Sequence, residues 1–232
     1  PHGLALHGGY LYIADLRGIW RVPFSAGQRR AALPPEPVTP PGAFGEPGGH
    51  WTRNIAFGRN GNFIYAAIGS ASNIGEDSAP RATVMRFNAD GSGGAVFASG
   101  LRNPCGISFD RDWNLFANDN DQESTTATPG RLMHVPEHSW NGWARGWDST
   151  QNPARLDMIP NVNWAIDVPV GQGYYDHTTL GEEYRGSLFV ANWGSRSVSH
   201  HPIKPEGAGF RADSLPFLLA DGNRRPLSAL PT

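Results

Sequence analysis

The sequence predicts an all-β fold: a β-propeller of the six-bladed type, present here as a partial ring of about four blades. Two observations predict it: a strand motif that recurs along the chain, and a composition suited to short strands and frequent turns. The motif is a strand of apolar and small residues, a turn with Gly or Asn, a strand ending in Ala, a loop, and a strand carrying Arg ahead of an apolar residue. With 29 Gly and 20 Pro in 232 residues, long helices are not expected.

The first copy runs Leu4-Ala5-Leu6, Gly8-Gly9, Leu11 to Asp15 and Ile19 to Val22. The second runs Ile55-Ala56-Phe57, Asn60-Gly61-Asn62, Ile64 to Ala67 and Val84 to Phe87, closed by the turn Asn88 to Gly91. The third begins with a hairpin inside Ser99–Asp121, where Ile107, Phe109, Leu115 and Phe116 mark two strands and Asp110-Arg111-Asp112 the turn. It ends on Arg131 to Val135. The fourth offers Leu188 to Trp193 and then Arg196-Ser197-Val198, and a fifth begins at Arg225 to Leu230.

Successive early copies lie about 50 residues apart, the spacing of propeller blades. Between the third and fourth, Pro136 to Gly173 reads as a long insertion, and Pro34 to Gly49 as a Pro/Gly connector. Residues 1–232 are therefore expected to form one domain, a ring segment truncated at both ends.

Nineteen Lys and Arg against 21 Asp and Glu exert no pull toward nucleic acid or an anionic membrane. No apolar run approaches the roughly 20 residues of a membrane span. The single cysteine, Cys105, cannot form an internal disulfide and reads as a small core residue.

Two polar stretches flank the inner strands. Gly48 to Asn54 leads into the second copy and Arg102-Asn103-Pro104 into the third. Residues entering the innermost strands of a propeller gather at the mouth of its central channel, so His50 and the pair Arg102-Asn103 should face one pocket. There a neutral imidazole beside a guanidinium suits the oxidation of an alcohol, the base taking the hydroxyl proton while a hydride leaves. The alternative is structural, with His50 capping its turn and Arg102 binding nearby carbonyls.

Behind the hairpin, Asn118, Asp119, Asn120 and Asp121, followed by Gln122-Glu123, form the candidate calcium ligands, since a hard cation wants several oxygens on a loop that can wrap it. The alternative is an acidic loop capping its own amides. Trp140, Trp143 and Trp147, with Asn141, read as core of the insertion or as the floor of a sugar groove, and core is the preferred expectation. His200-His201 should point to opposite strand faces and share no metal.

The stretches Gly49 to Phe57, Ile68 to Asn73, Arg86 to Gly93 and Phe97 to Pro104 together resemble the soluble quinoprotein glucose/sorbosone dehydrogenases. Asn118 to Asp121, Trp140-Asn141-Gly142-Trp143 and Glu183 to Ala191 are similar to the related bacterial membrane-bound dehydrogenase proteins. The resemblance spans nearly the whole chain and is most specific over residues 48 to 121. It implies pyrroloquinoline quinone (PQQ) held with Ca²⁺ at a channel mouth, a sugar or related alcohol or aldehyde as substrate, a separate electron acceptor, and a periplasmic or extracellular location. It further implies that His50 is the base and that Arg102 and Asn103 contact the quinone carbonyls.

There are departures: Cys105 stands where the glucose enzymes carry Gln, and Gly69-Ser70 where they carry Gly-Asp. Lys204, Arg196 and Arg224 are only positional matches for the groups expected to grip the cofactor's carboxylates. Two rival functions remain: a lactonase-like propeller whose calcium activates water, which would need channel carboxylates from several blades, and a non-catalytic binding propeller.

Overall fold

The computed structural model describes residues 2–73, 75–120, 130–143 and 161–229. They form four antiparallel four-stranded sheets, one after another along the chain. Blade one is β1 (Gly3–His7), β2 (Tyr10–Ala14), β3 (Ile19–Pro23) and β4 (Glu36–Pro37). Blade two is β5 (Arg53–Phe57), β6 (Phe63–Ile68), β7 (Thr83–Asn88) and β8 (Ala95–Ser99). Blade three is β9 (Pro104–Phe109), β10 (Leu115–Asp119), β11 (Gly130–His134) and β12 (Asn161–Ile166). Blade four is β13 (Pro169–Tyr175), β14 (Ser187–Asn192), β15 (Ser197–Pro202) and β18 (Leu215–Leu219), with the hairpin of β16 (Lys204–Glu206) and β17 (Gly209–Arg211) inserted before its last strand.

Every blade is a meander in chain order. Its first strand packs against that of the next blade, β1 on β5, β5 on β9 and β9 on β13. Leu4–Leu6, Ile55–Phe57 and Ile107–Phe109 are thus equivalent inner strands, as the repeat predicts. Among the described residues no helix is long and apolar enough to cross a membrane.

The core lies between blades, and the period-two alternation of the strands builds it. In β6, Ile64, Ala66 and Ile68 join Tyr12, Ile19, Phe44 and Ile55 on the blade-one side. Tyr65 and Ala67 turn the other way, to Val84, Phe97, Ile107, Leu115 and Met133. Phe116 and Leu132 then meet Val162 and Leu188 between blades three and four. The β9–β10 turn is fixed by Asp110, whose Oδ1 accepts the N–H groups of Asp112 and Asn114 at 2.9 and 2.8 Å.

The structure corrects three features of the repeat. Pro136 to Gly173 is not all insertion, because it contains β12 and most of β13; the fourth copy as read from sequence lacks its inner strand. In β13 the glycines Gly171 and Gly173 interrupt the apolar alternation that would have signalled it.

The Arg-apolar pairs are also out of register with one another. Arg21 and Arg86 lie well along β3 and β7 in half-exposed pairs with Glu36 and Glu137, whereas Arg131 stands near the start of β11, opposite Asp119, and is fully buried. Finally, residues 225–229 belong to no strand. They do pack on the inner strand of blade four, where a Cβ on Gly171 would lie 3.0 Å from Cα of Ser228.

On β15 the two histidines face opposite ways, as expected. His200 lies against the rings of Tyr184 and Phe189, while Nε2 of the fully buried His201 sits 2.9 Å from Oγ of Ser199. Burial, with a smaller contribution from His200, lowers the pKa of His201 to about 4, against an ordinary 6.5. The unfolded chain binds this proton more readily, so the contribution of neutral His201 is fully present above pH 6.5 and is lost as pH falls toward 4. Urea melts should show a fall of roughly 3 kcal/mol over that range. His201→Gln should have a shallower acid limb; an unchanged limb would assign the loss to other groups.

Candidate active site at the entrances to blades two and three

The site forms where the chain enters β5 and β9, on either side of the segment that leaves β6. Main-chain bonds tie the three together. The N–H of His50 donates to the carbonyl of Ser70 at 2.9 Å, and the N–H of Ser70 donates to the carbonyl of Arg102 at 2.7 Å. Side chains add a second ladder: Thr52 Oγ1 donates to Asn103 Oδ1 at 2.7 Å, and Asn54 Nδ2 to the carbonyl of Cys105 at 2.6 Å. The sequence-predicted His50, Arg102 and Asn103 are therefore brought together.

Two glycines permit this close approach. Gly49 adopts φ +58°, and a Cβ there would lie 2.1 Å from the carbonyl oxygen of Ala71. A Cβ on Gly69 would lie 2.7 Å from both Cβ of His50 and Oγ1 of Thr52.

The entrance to β9 is pinned by Asp119, at the end of β10 and wholly buried. Its Oδ2 accepts the N–H of Arg102 at 2.9 Å and Nη2 of Arg131 at 2.9 Å, and its Oδ1 accepts the N–H of Asn103 at 2.6 Å. Arg131 extends the network to the carbonyls of Asn141 and Gly100. The Arg102 guanidinium is itself nearly covered. Its Nη2 donates to Asn73 Oδ1 at 2.6 Å, its Nε reaches the carbonyl of Asn73 at 3.3 Å, and it lies over the ring of Trp143 at 5.7 Å.

Arg81 does the equivalent work at the entrance to β5. It donates to five carbonyls, those of Glu46, Gly48, His50, Gly69 and Ser70, at 2.7 to 3.1 Å. The site is therefore held by buried cations on main-chain oxygens.

That charge distribution acts on His50. Desolvation is the largest influence and Arg102 the next, both lowering its pKa below 6.5, and Arg81 adds in the same direction. Asp119 and hydrogen bonding with Asn73 oppose them. The imidazole is neutral near pH 7, as a base must be. Cys105 is buried, and desolvation pushes its thiol well above the ordinary range, which fits its reading as a core residue.

The described part of the predicted calcium stretch shows no assembled metal site. Asn118 and Asp119 are consecutive strand residues and face opposite ways. Asp119 is taken up by protein donors. Asn120 donates through Nδ2 to the sulfur of Cys105 at 3.3 Å. Among the described residues no group of three or more His, Cys, Asp and Glu is placed to hold a metal. Asp121, Gln122 and Glu123 lie outside the described residues, as does Trp147. Trp143 is core, as preferred; Trp140 is half-buried and donates through Nε1 to the carbonyl of Trp143 at 3.2 Å.

The sequence reading missed Arg81, the anchoring role of Asp119 and the hydroxyl of Ser70. No spacing signals Arg81, whose partners are all backbone oxygens.

No protein-family model and no curated protein matches this chain. Solved structures do. The PQQ domain of pyranose dehydrogenase from Coprinopsis cinerea, in its holo form, superposes with a TM-score of 0.71 at 15% identity, over 99% of this chain and 76% of that one. The PQQ-bound aldose sugar dehydrogenase of Streptomyces coelicolor gives 0.69 at 22% identity, over 96% and 65%. An oxidoreductase of Thermus thermophilus described as a glucose dehydrogenase gives 0.73 at 19%, over 97% and 72%. This chain has the β-propeller fold of these dehydrogenases. It spans 65 to 76% of their lengths, and within that propeller the His50 and Arg102-Asn103 entrances belong to adjacent blades.

The buried Asp119–Arg131 pair and the surface Arg86–Glu137 pair should separate sharply in stability. Asp119→Ala strands a buried guanidinium and two N–H groups and should cost about 3–5 kcal/mol in denaturant melts. Arg86→Ala should cost under about 1 kcal/mol. Similar losses would contradict the anchoring role.

Proposed function

We propose that this chain carries the active site of a PQQ-dependent dehydrogenase that oxidises an aldose sugar, or a related alcohol or aldehyde. One observation carries the reading: the entrances of adjacent blades are locked into one site, His50 and Arg102 through Ser70 and Asn103 through Thr52.

The donor chemistry fits a quinone. Asn103 spends its Oδ1 on Thr52, so its amide NH2 is the part left to donate to a carbonyl oxygen. Arg102, fixed by Asn73 and by Asp119 through its own N–H, supplies positive charge where a reduced quinone oxygen would develop negative charge. A bound quinone supplies the acceptor for the hydride. The protein's part is to hold the substrate hydroxyl at His50, take its proton as the C–H hydride departs, and leave a carbonyl product. No step passes through a metal here. Lys204, Arg196 and Arg224 enter no step either. The reading brings with it a periplasmic or extracellular location. Against the lactonase-like alternative stands the make-up of this site, a histidine, an arginine and an amide in place of channel carboxylates.

The test uses the full-length protein, supplied with PQQ and Ca²⁺, and follows reduction of a redox dye over a panel of sugars. Turnover with at least one aldose is expected, and His50→Ala should lower it by about 10²- to 10⁴-fold while quinone binding stays nearly unchanged. A protein that binds quinone and reduces no dye with any sugar, or a fully active His50→Ala, would overturn the reading.

A further inference from the structure

A histidine base needs one bare ring nitrogen, and hydrogen bonds around Ser70 determine which one His50 has. Ser70 is fully buried just beyond β6. Its Oγ lies 2.6 Å from the carbonyl oxygen of Ser72, which has no proton to give, so the single hydroxyl proton of Ser70 is committed to that bond. The same Oγ lies 2.7 Å from Nδ1 of His50. At that distance one of the two atoms must donate, and the hydroxyl has already done so. Nδ1 therefore carries the proton.

We propose that Ser70 is a positioning residue for the dehydrogenation, holding neutral His50 in the Nδ1–H tautomer so that Nε2 is the atom that accepts the substrate proton. This rests on the function proposed above. Three bonds to the main chain of Ser70 keep the hydroxyl in place: its N–H donates to the carbonyl of Arg102, and its carbonyl accepts from the N–H of His50 and from Nη2 of Arg81 at 2.7 Å. Gly69, which admits no Cβ beside His50, allows the approach.

The choice of a hydroxyl also matters for pH. The charged groups acting on His50 are Arg102 and Arg81, which disfavour the imidazolium, and Asp119, which favours it, as does hydrogen bonding with Asn73. Ser70 orients the ring without adding a negative charge to that balance, so nothing at position 70 favours the imidazolium. A carboxylate in its place would stabilise the imidazolium and move the acid limb of activity to higher pH.

The decisive measurement is the ¹⁵N spectrum of the histidine side chains in the full-length protein without cofactor at neutral pH, with His50 assigned by loss of its signals in His50→Gln. A protonated Nδ1 and a bare Nε2 are expected. A protonated Nε2, or rapid averaging between the two forms, overturns the proposal even if the enzyme is active. A fixed Nδ1–H in a protein that oxidises no sugar supports the orientation by Ser70 and overturns the proposed function instead.

In an active enzyme, Ser70→Ala should lower kcat by about 10- to 100-fold with KM little changed, and Ser70→Thr, which keeps the hydroxyl, should recover most of it. Ser70→Asp should shift the acid limb of kcat/KM upward in pH. An unshifted profile would show that position 70 does not govern the ring, and the parent spectrum decides the tautomer should a variant fail to fold.

Discussion

The site depends on the carboxylate of Asp119. A fully buried charge is tolerable only when paired and saturated with hydrogen bonds, and Asp119 obtains both, from Arg131 and from the consecutive N–H groups of Arg102 and Asn103. The turn into β9 has to take the shape that points those N–H groups at one carboxylate. Once it does, the carbonyl of Arg102 faces Ser70, and the side chains of Arg102 and Asn103 project toward Asn73 and Thr52. The geometry of the candidate site follows from this one satisfied charge.

The same logic runs through the neighbouring loops with the sign reversed. Arg81 and Arg131 spend their donors mainly on backbone oxygens of loops that have no strand partners, which such loops need once buried. Burial makes these cations costly, and the pKa of Arg131 is drawn down to about 10 by desolvation despite Asp119. The field of Arg81, with that of Arg102, helps keep His50 unprotonated. Structural arginines and the proposed base are thus electrostatically linked, although Arg81 meets His50 only through its carbonyl.

Much of this was legible in the sequence, for a physical reason. Strands buried on both faces, such as Ile64 to Ile68, announce themselves by β-branched and aromatic residues between turn signals, and three of the four inner strands were found from their place in the repeat before such strands. The fourth, β13, was not, because Gly171 serves close approach to the backbone of Leu227 and Ser228, and neither it nor Gly173 carries an apolar side chain. The convergence of His50 with Arg102 and Asn103 was readable because equivalent positions in successive blades must meet around an axis. Four oxygen-bearing residues in a row suggest a loop from Asn118 to Asp121, whereas Asn118 and Asp119 are strand residues at the end of β10, where neighbours point to opposite faces. Ser70 and Arg81 could not be read, since their partners are backbone oxygens and a ring nitrogen placed by tertiary structure.

The central claim is that the entrances to β5 and β9 form one quinone-binding, substrate-oxidising site. A crystal structure of the full-length protein with PQQ bound tests it most directly. The account predicts the quinone seated at His50, with its carbonyl oxygens on the Arg102-Asn103 side; a quinone bound elsewhere on the ring, with that pair facing only protein, would contradict it.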